Sequence, residues 1–184
     1  MIVMGVDPGT ANTGFGVVRV TGSQMVALDG GVIEDETGEL SPERRLDRIH
    51  RALSELIDWH EPEAVAVEDL YFGRNVRSAI AVGQARGVAL LAAAQRGVPC
   101  FDYTPQAVKM AVCGSGAADK KQVQTMVAAL LNLPEPPQPD HAADALAVAI
   151  CHAGSTAMRA SVAASGSPAV LAGAAAAPRQ RLAG

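Results

Sequence analysis

The sequence predicts one α/β domain built on a mixed five-stranded sheet flanked by helices. Two observations carry this. The first 34 residues read as three consecutive strands, and after them short apolar runs alternate with segments of helical period. With 184 residues, 49% of them hydrophobic, the chain is large enough to bury a core without metal or disulfide staples. It is also too apolar to be disordered throughout.

Each element has its own signal. Met1 to Asp7 is a continuous apolar run, as in a strand buried on both faces, and Pro8-Gly9 then forces a turn. Thr13–Val20 and Met25–Ile33 are rich in β-branched residues and are separated by Thr21-Gly22-Ser23, a hairpin signal. Ser41 and Pro42 open a helix in which Leu46, Ile49, Leu53 and Leu56 or Ile57 recur at helical spacing. Ala64 to Glu68 is a short buried strand, Val76–Gln95 a long helix rich in Ala and Gly, and Val98–Tyr103 the fifth strand. Helices over Pro105–Val112, Lys120–Leu131 and Asp140–Ala153 complete a domain spanning residues 1–155. Residues 156–184, rich in Ala, Gly, Ser and Pro without a period, read as a flexible tail.

Three cysteines, Cys100, Cys113 and Cys151, with no CxxC spacing and no cationic leader before an apolar run, predict a reduced, cytoplasmic setting. No membrane span is expected. The longest candidate, Val76 to Arg96, is broken by Arg77, Gln84, Arg86 and Gln95.

The net charge of -4 hides an asymmetry. Residues 1–69 hold five Lys and Arg against 14 Asp and Glu, whereas residues 70–130 hold seven against two. A basic middle third can present a positive stripe to a polyanion. Equally, Arg74, Arg77, Arg86 and Arg96 can be solvated helix faces.

Three acids carry the candidate chemistry. Asp7 and Glu68 end two strands which, if parallel and adjacent, converge on the edge where open α/β sheets bind ligands. Asp144 lies on a mostly apolar helix among Ala142, Ala143, Ala145 and Leu146, so its carboxylate is expected to be partly buried and partnered. Taken singly, Asp7 also fits a turn, Glu68 a solvated strand end and His141 a helix cap. Crowded carboxylates repel, and a hard divalent cation removes that penalty. Two Mg²⁺ ions could then activate a water and stabilise the leaving oxygen of a phosphodiester. Tyr71, Arg74, Asn75 and Arg77 follow Glu68, where an aromatic can stack on an unpaired base while a guanidinium holds phosphate. The Tyr71-Phe72 pair also fits a core. Lys109, Lys120 and Lys121 suit backbone phosphates.

Gly5-Val6-Asp7-Pro8-Gly9-Thr10, Val67-Glu68, Gly83-Gln84-Ala85-Arg86-Gly87, Thr104-Pro105 with Val108-Lys109, and Ala142-Ala143-Asp144-Ala145-Leu146-Ala147 together resemble the bacterial RuvC Holliday-junction resolvases, in the family's order. The resemblance implies an RNase H-like fold and a homodimer placing two sites on a four-way DNA junction. It also implies paired nicks with 5′-phosphates in recombination and repair, and RuvA and RuvB as partners. The family's acids fall on Asp7, Glu68 and Asp144, its lysines on Lys109 and Lys120 with Lys121 beside them, its stacking aromatic on Tyr71, and its dimer element near Gln84 to Gly87. Where the family often has an Asp before the final acid, this chain has His141, a softer ligand suited to Mn²⁺ or a base for the attacking water. Asp140 is its neighbour and a possible stand-in. Two rival readings are a single-lobe nucleotide-binding relative of the actin-like ATPases, from Asp7-Pro8-Gly9-Thr10, and a junction-binding protein without catalysis.

Overall fold

A computed structural model describes residues 1–35, 38–69 and 76–164, with side chains throughout these except at 76–78 and 157–164. The strands are Ile2–Asp7 (β1), Asn12–Thr21 (β2), Gln24–Glu34 (β3), Ala64–Glu68 (β4) and Cys100–Tyr103 (β5). The helices are Pro42–His60 (α1), Val76–Gln95 (α2), Pro105–Cys113 (α3), Lys120–Leu130 (α4) and Asp140–Ala164 (α5). The sheet order is β3-β2-β1-β4-β5. β1, β2 and β3 form the expected antiparallel meander, and β1, β4 and β5 run parallel.

The sheet divides two cores. Met4, Val6, Val17, Val65 and Val67 pack with Ile49, Leu53 and Ile57 of α1 and Ala85, Ala89, Ala92 and Ala93 of α2. Val3, Val18 and Ala66 pack on the other face with α3, α4 and α5. α1 shows a one-sided apolar stripe, as a helix covering a sheet should. α5 is buried almost all round from Ala142 to Ala153, because the sheet lies on one side of it and α3 and α4 on the other.

The contact between α5 and the sheet is unusually close. A Cβ on Gly5 would lie 2.0 Å from the Ala145 carbonyl oxygen, one on Gly14 2.0 Å from that of His141, and one on Gly16 2.7 Å from Leu146. Only glycine permits backbone to approach backbone in this way.

Two boundaries differ from expectation by more than one residue. β5 starts at Cys100, because Val98 donates its N–H back to Ala93 to close α2 and Pro99 has none to give. α5 continues beyond Ala153 to Ala164. Ser155 and Thr156 donate their hydroxyls to the Cys151 and His152 carbonyls, so these polar groups are satisfied within the helix. Residues 165–184, most of the expected tail, lie outside the described residues. Among the described residues no helix is long and apolar enough to cross a membrane. The three cysteines are free thiols.

Gly5→Ala should cost about 3 kcal/mol or more, because the new methyl meets backbone rather than a movable side chain. Urea denaturation checks this. A loss below about 1 kcal/mol would contradict the close contact.

Candidate active site

β1 and β4 are parallel with Val6 opposite Val67, so the chain delivers Asp7 and Glu68 side by side at one sheet edge. The charge of Asp7 bears directly on Glu68. Behind Asp7, the Pro8-Gly9 turn is held by the Thr13 hydroxyl, which donates to the Gly9 carbonyl. α5 brings His141 and Asp144 to the same edge, and the His141 Nδ1 lies 2.7 Å from Asp7 Oδ2. Ligand atoms of Asp7, His141 and Asp144 lie within 4.8 Å of one another.

Two helix starts bring in the cations. Thr104 caps α3 by accepting from the Ala107 N–H, and Lys109 follows on that helix. Asp119 and Gln122 form a reciprocal capping box at α4, which places Lys120 at its first position. Lys120 Nζ lies 3.0 Å from Asp140 Oδ2 and 3.5 Å from Asp144 Oδ2. Glu68, Lys109, Lys120 and Asp144 line an open cleft of about 210 Å³, walled by Pro105, Val108, Val123 and Ala147.

Burial, then the charges of Asp7 and Asp144, push the Glu68 carboxyl up to about 8, while Lys109 pulls the other way. Burial likewise raises Asp144, against the opposing pull of Lys120. For Lys120, burial favours the neutral amine, but its bond to Asp140 and the charge of Asp144 outweigh this and raise its pKa. Three acids thus meet where neighbouring cations offset only part of their repulsion. Oxygen donors with one imidazole among them fit a divalent cation.

The other predicted residues divide. Asp140 is exposed and bonded to Lys120 and to Gln124 Nε2, 2.7 Å away, so it anchors the lysine. Lys121 is exposed on α4 beside the cleft's Lys120. Of the arginines that could be solvated faces, Arg96 is on the surface and pairs there with Asp58, whereas half-buried Arg86 pairs with Asp102, each at 2.6 Å. Tyr71, Arg74 and Asn75 lie outside the described residues, as does the side chain of Arg77. Sequence reasoning missed the capping pair and Gln124. The Asp119-x-x-Gln122 spacing ahead of an apolar-periodic run was the available signal.

The comparisons with known proteins agree with this geometry. The family described as "Crossover junction endodeoxyribonuclease RuvC" matches residues 3–152. A relative of that name from Pelotomaculum thermopropionicum is 54% identical over 153 residues, 83% of this chain and 93% of the relative. One from Rubrobacter xylanophilus is 55% identical over 152 residues, 83% and 84% of the two chains. Among solved structures, T. thermophilus RuvC in complex with a Holliday junction substrate superposes with a TM-score of 0.81 at 42% identity, covering 86% of this chain and 96% of that one. The yeast mitochondrial resolvase Ydc2 shares the fold alone, with a TM-score of 0.64 at 13% identity, covering 87% and 82%. The mixed sheet with its flanking helices is therefore the RNase H-like fold of junction resolvases. Within that class, the chain belongs to the RuvC family of crossover junction endodeoxyribonucleases.

The raised Glu68 pKa has a sign. Between 4.5 and about 8 the folded state holds a proton that the unfolded chain releases, so cation-free stability falls as pH rises through that window. Thermal melts in EDTA should show this decline, and Glu68→Gln should flatten it. An equal slope in the variant would remove Glu68 as its source.

Proposed function

We propose that this chain resolves four-way DNA junctions by divalent-metal-dependent hydrolysis, with Asp7, Glu68 and Asp144 as the metal-holding acids and His141 beside them. The observation that carries the reading is that these carboxylates, drawn from β1, β4 and α5, crowd at the same edge as a lysine-lined cleft. Bound Mg²⁺, as two ions, with Mn²⁺ as a substitute, supplies water activation and charge neutralisation at the scissile phosphate.

The protein's own groups do the rest. Lys109 and Lys120 hold the phosphate, and Lys120 is kept protonated by Asp140 and Asp144. An ionised Asp7 can only accept, so His141 Nδ1 donates to it and fixes its orientation. Tyr71, Arg74, Asn75, Arg77 and Lys121 contact the junction's unpaired bases and backbone. The products are nicks with 5′-phosphates. The nucleotide-binding and non-catalytic readings have no specific observation in their favour.

The acting unit is a homodimer formed through α2, working in the cytoplasm with RuvA and RuvB. Ile80, Gln84, Gly87 and Leu91 recur at helical spacing on the exposed side of α2, and Ile80 is 59% and Leu91 51% exposed. Gly87 has open space where a side chain would stand, so a second backbone can approach.

A synthetic four-way junction incubated with Mg²⁺ or Mn²⁺ tests the chemistry, against a linear duplex of the same sequence. Paired nicks confined to the junction are expected. Asp7→Asn and Asp144→Asn should each slow cleavage about 10³-fold while junction binding persists. Equal cutting of the duplex, or full activity in either variant, would overturn the assignment. Leu91→Asp tests the dimer: light scattering should report a monomer, and the two nicks should lose their pairing. A variant still dimeric at micromolar concentration would place the interface elsewhere.

A further inference from the structure

The acidic first third of the chain places four of its five cations, Arg44, Arg45, Arg48 and Arg51, on α1. Two are used locally. Arg45 binds Asp35 at 3.3 Å and the Gly38 carbonyl at 3.1 Å, clasping a loop whose Gly38 and Leu40 amides donate to the same carboxylate. Arg51 binds Asp47 at 3.1 Å. Arg44 and Arg48 remain, both exposed and one turn apart, with no hydrogen bond or ion pair among the described residues. Arg44 occupies the third helical position, where the helix dipole disfavours a cation. Within the helix its charge is felt by neighbouring Glu43, and among the described residues no hydrogen bond or ion pair holds the guanidinium in place.

Their place in the fold gives these charges a partner. β3 runs parallel to β1 across β2 and ends at Glu34, opposite Asn12, so α1 is entered from the edge that carries the acids. Arg48 shares a small cleft with Thr10 and Glu34. Thr10 is three residues beyond Asp7, at most about 11 Å of extended chain. α1 packs on the face of the sheet opposite α3, α4 and α5, whereas Lys109 and Lys120 lie with those helices.

We propose that Arg44 and Arg48 contact backbone phosphates of a DNA arm as it leaves the carboxylates across the α1 side of the sheet. This rests on the nuclease reading above. Lysines then hold the strand on one face of the sheet and arginines on the other, so the duplex straddles the edge. Glu34 and Asp35 line the same cleft; Arg45 is paired with Asp35, so Glu34 is the carboxylate left to work against the contact.

The test measures binding of a labelled four-way junction across a salt series, in the full-length chain carrying Asp7→Asn to prevent cutting. Each phosphate contact contributes about 0.9 to the slope of log affinity against log salt. Arg44→Gln with Arg48→Gln should lower that slope by nearly two and weaken binding on the order of tenfold at low salt. Arg44→Lys with Arg48→Lys should restore the slope, and Glu34→Gln should tighten binding. An unchanged slope in the double glutamine variant would overturn the proposal. Backbone contacts are independent of DNA shape, so the same series on linear duplex reads the arginines separately. A protein that binds duplex and junction equally, yet loses slope in the variant, would refute the junction reading and keep this contact.

Discussion

Helix α5 lies against β1 and β2 with no side chain between backbones at Gly5 and Gly14, and with Leu146 filling the place of a side chain at Gly16. That contact is the constraint on which the site depends. Asp7 and Glu68 are placed by strand register alone, but His141 and Asp144 reach them only because their helix settles directly on the sheet. The His141 carbonyl is itself one of the points of contact with the sheet, so the imidazole that meets Asp7 hangs from a backbone atom with nowhere to move. The alanines of α5 belong to the same arrangement, since small side chains let the helix bury nearly its whole circumference.

The electrostatics run against this packing. The fold presses three acids together and raises two of their pKa values by burial. Lys120 and Lys109 relieve this only partly. Lys120 is shared with Asp140, an exposed acid that holds the amine at the cleft wall. The protein thus keeps stability in its core and spends some of it at the edge, a pattern expected where charge is kept in readiness for a cation and a phosphate.

Much of the site was legible in the sequence because strand ends and helical spacing are local signals. Asp7 and Glu68 close apolar runs, and His141 and Asp144 stand one turn apart on a helix otherwise made of Ala and Leu. The meander and the five helices followed from the same periodicities, whereas the parallel pairing of β1 with β4 was a condition and that of β4 with β5 came from the structure. Long-range pairing was harder to read. Nothing near Arg86 or Arg96 in sequence marks Asp102 or Asp58 as its partner, so neither pairing could be read from the chain. The roles of Gly14 and Gly16 were likewise hidden, because a glycine in a strand does not say which element lies above it. The extension of α5 depended on hydroxyls turning back onto their own helix, which a Ser- and Ala-rich composition does not distinguish from a loose tail.

The seating of α5 also bears on how the molecule fails. Catalytic groups often sit on segments that open well before the rest of a protein. Here the histidine and the last acid ride on the most enclosed helix of the domain, and the other two acids terminate its central strands. Among the described residues, these four side chains sit on no loose segment. On heating, dispersal of this cluster and collapse of the core should be one event, set by the temperature that the glycine-to-helix seam survives.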